Sequence, residues 1–298
     1  MKRLYPLVLI AACLIAVPAC DGEPADPDQL SIVVSTSILG DVVENVIDGA
    51  ATVEVLIPVG SDSHDYSASS AQVAAMHRAD LVILNGLGLE EGMTDLVEGL
   101  VADGIEVFEI GPLLNPIQLE GSQNPDPHVW MDPLRMAEGA RLIGLELTRI
   151  APDRDWMASA EAYAVELQEV DDEIVNTLAV VPEAQRVMVT NHESFGYFAD
   201  RYVFDVIGTV IPGGSTLEAP SSAELAELVA VMRETNTTVI FGETTRPDIL
   251  AEAVARELSD DVEVVDLYTE SLGAAGSDAD TYIGMLRVNA QLVAGSLS

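Results

Sequence analysis

From Asp155 to Val180 the chain runs without a glycine or a proline, and Leu167, Val170, Ile174 and Leu178 recur at helical spacing. One long amphipathic helix is therefore predicted over 155–180. On either side of it, short β-branched runs alternate with helical patterns, the signature of parallel α/β units. Before it the expected strands are 31–35, 53–57, 81–85 and 106–110, with helices near 37–48, 69–78 and 90–102. After it the expected strands are 186–190, 206–211, 238–242 and 262–265, with helices near 193–201, 221–234, 247–257 and 279–295. The fold expected is thus α/β, with two lobes (30–154 and 181–298) built on parallel sheets. A helix that long would join them as a rigid spine rather than a flexible hinge. No internal sequence repeat is visible. His64, His128 and His192 are equally spaced, but their flanks differ.

The first twenty residues read as a secretory leader. Lys2 and Arg3 form a basic start, Leu4 to Val17 an apolar stretch, and Pro18-Ala19 a small-residue end. That stretch is too short to span a membrane. Its end, "AVPAC", has the form of a bacterial lipobox, so Cys20 is expected to carry a lipid anchor. The rival match ending at Cys13 leaves too short an apolar core. Residues 21–29 then form a flexible tether. Both cysteines of the chain lie in this leader region, so the mature fold is expected to hold neither a disulfide nor a thiolate metal site.

The 298 residues carry a net charge of −37, and Lys2 is the single lysine. Removing Lys2 and Arg3 with the leader would leave 11 basic against 50 acidic residues, a net charge of −39. Nucleic acid and anionic substrates are poor partners for such a surface. Solubility or adaptation to salt explains it equally without any ligand.

Three of the four histidines share one kind of location. His64 lies in "VGSDSHDYS", beyond the strand ending near Ile57. His128 lies in "NPDPHVWMDP", where three prolines in ten residues describe a stiff loop. Asp132-Pro133 reads as the start of a helix, with Asp capping and Pro at the first position. His192 follows "RVMVT" and precedes a helix whose Phe195, Phe198 and Tyr202 form a buried stripe. Ligands of open α/β sheets bind at the carboxyl ends of the strands. A single loop histidine is more often just hydrogen-bonded, but three such histidines spread over both halves favour a shared metal site. His77, mid-helix beside Arg78, reads as exposed. Glu243, at the end of "TTVIFGE", faces the same crevice. It is either a partner that orients a histidine or a capping carboxylate.

The motifs "HDYSASSAQV", "ADLVILNGLGLE", "DPHVWMDP", "NHESFGYFADRY" and "TYIGMLRVN" resemble those of the zinc/manganese solute-binding lipoproteins of ABC transporters, in the family's order along nearly the whole mature chain. The resemblance implies two α/β lobes joined by one long helix, with a metal bound in the cleft between them. It also implies an extracytoplasmic, lipid-anchored monomer that delivers its ion to an ABC permease and ATPase. Carried over residue by residue, His64, His128 and His192 match the three histidine ligands. The family's carboxylate, usually an aspartate, falls in "LYTESLG", where this chain has Glu270, with Asp266 as the nearby alternative. Glutamate is one methylene longer, and the downstream Gly273 and Gly276 could give the loop the slack this requires.

Three imidazoles and one carboxylate suit Zn²⁺, whereas Mn²⁺ prefers more oxygen. In the family the manganese members usually carry Glu at the third position, where this chain has His192. Residues 111–127 contain no histidine, so the His-rich loop of many zinc-binding members is missing. A secreted zinc hydrolase is the rival class, with three histidines and a water, but no HExxH-type motif is present. An adhesin-like surface protein of the same fold is a third, and the test that separates it is whether metal uptake fails without the gene.

Overall fold

The computed structural model describes residues 29–298 apart from Glu120 and Asp260. The leader, Cys20 and all but the last residue of the tether lie outside the described residues. The first lobe holds β1 (Ser31–Val34), β2 (Thr52–Val55), β3 (Leu81–Leu84) and β4 (Val107–Glu109), all parallel and ordered β2-β1-β3-β4. The second holds β5 (Val187–Thr190), β6 (Asp205–Thr209), β7 (Val239–Glu243) and β8 (Glu263–Leu267), again all parallel, in the order β6-β5-β7-β8. The two sheets therefore repeat one winding order, although no repeat is visible in the sequence. Burial on both faces explains continuous apolar runs such as "LVIL" in β3, all four residues of which are buried.

Helices α1 (Ser37–Ile47), α2 (Ser70–Met76) and α3 (Thr94–Ala102) belong to the first lobe, and α6 (Gly196–Tyr202), α7 (Ser222–Thr235) and α8 (Ile249–Leu258) to the second. The long helix α5 (Trp156–Leu178) starts on the Asp155 side-chain cap and buries Leu167, Val170, Ile174 and Leu178, the residues whose spacing predicts it. It does not stand alone. A short turn folds α4 (Pro133–Ile150) back against it, and Gly144 makes the approach close: a Cβ there would meet the Ala160 Cβ at 2.7 Å. The last helix, α9 (Tyr282–Ser296), also packs on α5.

One continuous apolar core runs between the lobes. It joins Ile32 and Ile83 of the first sheet to Phe241 and Leu267 of the second through Leu147, Tyr163, Leu167, Val170 and Leu286. Smaller cores lie on the outer faces, around Val33, Leu84 and Leu100 in one lobe and Val189, Ile240 and Val254 in the other. Asp41 of α1 adds a polar tie, accepting hydrogen bonds from Tyr163 Oη of α5 at 3.2 Å and Tyr282 N of α9 at 3.1 Å. A shared core of this kind resists wide hinge opening, because separating the lobes would expose it.

Candidate metal centre

Four loops converge between the lobes, each leaving the carboxyl end of a strand. Their side chains bring one ligand atom each from His64, His128, His192 and Glu270 within 4.8 Å of one another, and all four residues are buried. His128 and His192 face each other across the lobe boundary, Nε2 to Nε2 at 3.0 Å. Glu270 Oε1 lies 3.3 Å from His128 Nε2 and 3.6 Å from His192 Nε2, and its Oε2 lies 4.0 Å from His64 Nε2. A tetrahedral zinc ion separates its ligand atoms by roughly 3.4 Å, so these spacings bracket what one ion would require.

The stiff loop of His128 is held at several points. Its Asp126 accepts from His128 N at 2.9 Å and bonds Nδ1 at 2.7 Å, which fixes the ring and turns Nε2 to the centre. Asn85, at the end of β3, donates to Pro127 O at 2.9 Å, and Tyr197 Oη donates to Asp126 O at 2.7 Å. A 3₁₀ turn, Val129–Met131, lies between His128 and α4, and Asp132 caps that helix on Leu134 N at 2.9 Å. His192 is buttressed in the same way by Glu243, which meets its Nδ1 in a very short contact. Of the two readings of Glu243, this geometry fits the orienting one.

Glu270 sits in a loop tied to the opposite lobe. Trp130 Nε1 donates to Thr269 O at 2.7 Å, Gly60 N to Ser271 Oγ at 2.8 Å, Leu272 N to Ser37 Oγ at 3.1 Å, and Ser63 Oγ to Glu270 O at 3.3 Å. The expected slack in the downstream glycines is not found at Gly273. Its N–H is bonded to Ala279 O at 2.8 Å, and a Cβ there would meet Ser277 Oγ at 2.5 Å. Asp266 lies away from the four, its carboxylate against that of Asp248, which burial and this neighbour push up to about 6. His77 caps the end of α2 and is exposed.

The loop of His64 carries a link to the other lobe that has no counterpart in the local sequence. Asp62 Oδ1 accepts from His64 N at 2.9 Å, while its Oδ2 accepts from Arg246 Nη1 at 2.9 Å and Thr216 Oγ1 at 2.7 Å in the other lobe. Partners 184 and 154 residues apart leave no local sequence signal. Asp126 is different: an acid two residues before a histidine, with only a proline between, is a readable pattern.

Electrostatically the centre is poised for a cation. Burial would raise the Glu270 carboxyl, but the neighbouring His128 and the other two surrounding imidazoles hold it at about 2. Burial would lower His128, but Asp126 and Glu270 carry it up to about 10. Burial lowers His64. Both ring nitrogens of His64 and both oxygens of Glu270 are buried without a hydrogen-bond partner. Buried polar atoms are rarely left so, and four of them, in a nest of three imidazoles and a carboxylate, fit a divalent cation.

Residues 32–295 match the family model described as zinc-uptake complex component A, periplasmic. The manganese-binding lipoprotein MntA of Halalkalibacterium halodurans is 32% identical over 305 residues, with all of both chains covered. The zinc-binding protein TroA of Treponema pallidum is 29% identical, over 97% of this chain and 98% of that one. The solved structure of the periplasmic zinc-binding TroA aligns with a TM-score of 0.83 at 27% identity, covering 91% of this chain and 99% of that one. A Mn-bound periplasmic metal-binding protein from Candidatus Liberibacter asiaticus aligns at 0.80 and 26% identity, over 91% of this chain and all of that one.

Proposed function

This chain belongs to the periplasmic zinc-uptake component A family of metal ABC transporter solute-binding proteins, and from that premise we propose that it captures Zn²⁺ outside the cytoplasmic membrane and delivers it to an ABC permease and its ATPase. His64, His128, His192 and Glu270 are the proposed ligands. The observation that carries this reading is their convergence, buried, from both lobes. The fold itself does not choose the ion, since similar structures are described with zinc and with manganese. The donor set supports zinc: three imidazole nitrogens and one carboxylate suit four- or five-coordinate zinc, and manganese favours more oxygen.

The identity to a manganese-binding lipoprotein supports a second reading, in which Glu270 binds through both oxygens and the cargo is Mn²⁺. Affinity in solution is a poor judge between them, because zinc outranks manganese at almost any such site. Uptake is the better test. Cells lacking the gene should lose accumulation of labelled zinc and keep that of manganese, and the reverse pattern would assign manganese. A hydrolase is disfavoured on the same geometry. Catalytic zinc keeps one position open for water, and here Glu270 faces that position.

The relatives are named as lipoproteins, which supports Cys20 as the lipidated residue and an extracytoplasmic, membrane-anchored location. Cys20→Ser should release the protein into the soluble extracytoplasmic fraction. Retention in the membrane, with release by Cys13→Ser instead, would overturn the assignment.

A further inference from the structure

We propose that Glu91 is the positioning residue for His64, and that His64 is the last ligand to engage the ion and the first to let go. The inference rests on the ligand reading above and goes beyond it. Each of the three histidines has a carboxylate facing its Nδ1. For His128 and His192 that carboxylate is buried and in hydrogen-bond contact: Asp126 at 2.7 Å and Glu243 closer still. For His64 it is Glu91, whose Oε1 lies 3.4 Å from Nδ1 and whose side chain is 41% exposed. His64 itself is buried, and its Nδ1 has no hydrogen-bond partner.

The placement of Glu91 is not accidental to the fold. It opens the 3₁₀ turn Glu91–Met93, and the next residue, Gly92, presses on the loop that carries His64: a Cβ there would meet Tyr66 O at 2.4 Å. Only glycine permits that approach, so the turn and the His64 loop are in fixed contact. Glu91 also lines an interlobe cavity of about 640 Å³, together with Pro127 and Glu193, the chain neighbours of His128 and His192. Coordination at His64 Nε2 requires the proton on Nδ1 and makes that N–H a stronger donor. The Glu91 contact would then close to about 2.8 Å, the range of a charge-assisted bond. Until that happens His64 is the one imidazole with no fixed orientation partner. Of the three carboxylates only Glu91 is exposed, and it lines the cavity, so this is the side on which the ion is exchanged.

The test is the release rate of Zn²⁺ from the purified mature protein into excess chelator, in wild type and in Glu91→Ala, Glu91→Gln, Glu218→Ala and His128→Ala. Loss of an orienting partner costs about 10- to 100-fold in metal affinity, and for Glu91→Ala that loss should be read as faster release. Glu91→Gln keeps an acceptor oxygen and should recover part of it. Glu218→Ala removes an equal charge from the same cavity without facing a histidine, and should release at the wild-type rate. With Co²⁺ in place of zinc, the visible absorption of Glu91→Ala should shift relative to wild type, reporting a changed His64 geometry. Wild-type release and an unshifted Co²⁺ spectrum in Glu91→Ala, or equal acceleration in Glu218→Ala, would overturn the proposal. His128→Ala separates this from the ligand reading. If it holds zinc as wild type does, the ligand set is wrong and the Glu91 proposal falls with it. If it loses zinc while Glu91→Ala behaves as wild type, only the Glu91 proposal fails.

Discussion

The two lobes wind their sheets in the same order, yet each offers the centre one proposed ligand that is held and one that is not. In the first lobe His128 is locked by Asp126, while neither ring nitrogen of His64 has a hydrogen-bond partner. In the second His192 is locked by Glu243, while neither carboxylate oxygen of Glu270 has one. The locked pair meets Nε2 to Nε2 at 3.0 Å, a preformed half-site spanning the lobe boundary. The unlocked pair completes it. A shared core and a polar tie at Asp41 make the lobes poor at swinging apart. We therefore assign loading and release to the side chains of the unlocked pair, and the locked pair holds the geometry.

The largest effect should come from breaking the locked pair. His128→Ala should weaken zinc binding beyond the about 100-fold that loss of an orienting partner can cost, and more than His64→Ala does, as read by calorimetry under a competing chelator. Equal losses in the two variants would erase the distinction between held and unheld ligands. Next, Glu270→Gln keeps the size of the side chain and removes its charge, and should cost at least about tenfold in affinity while the metal-free protein stays folded. Asp266→Asn, whose carboxylate lies against Asp248, should leave affinity unchanged. If those two variants behave the other way round, the carboxylate ligand has been misassigned.

A graded effect, spread over several units, is expected from pH. His128, held up at about 10, carries a proton at neutral pH that must leave when Nε2 takes the metal. The metal-free form is the protonated one, so acid favours release. Affinity should fall about tenfold for each pH unit below the His128 range, with proton uptake measurable on release. Burial lowers His64, so it adds a second competing proton only below the ordinary histidine range, where the slope should steepen. A flat profile between about pH 9 and 7 would show that His128 is not the titrating ligand.

Much of this architecture was legible in the sequence, and the limits are physical. The run from Asp155 to Val180 reads as a helix because nothing in it breaks one, and α5 spans Trp156–Leu178. The strands read from β-branched runs bounded by glycine, proline and polar residues, with edges shifted by one or two residues where the strand leads into a loop. The common sheet order left no trace, because winding is set by crossovers and the flanks need not match. Three histidines could be grouped by their loops alone, whereas Glu270 came only from a family motif. Slack at Gly273 was a wrong expectation: its small size serves a close contact with Ser277. The Asp62–Arg246 and Glu91–His64 contacts join residues distant in sequence with unremarkable local surroundings, so only the fold reveals them.

The central claim is that one ion is held by ligands from both lobes. Its most direct test is a crystal structure of the zinc-loaded protein with anomalous data collected on both sides of the zinc edge. One strong peak is expected, about 2.0–2.2 Å from Nε2 of His64, His128 and His192 and from a carboxylate oxygen of Glu270. A peak bound by the residues of one lobe alone, or lying outside this cluster, would contradict it.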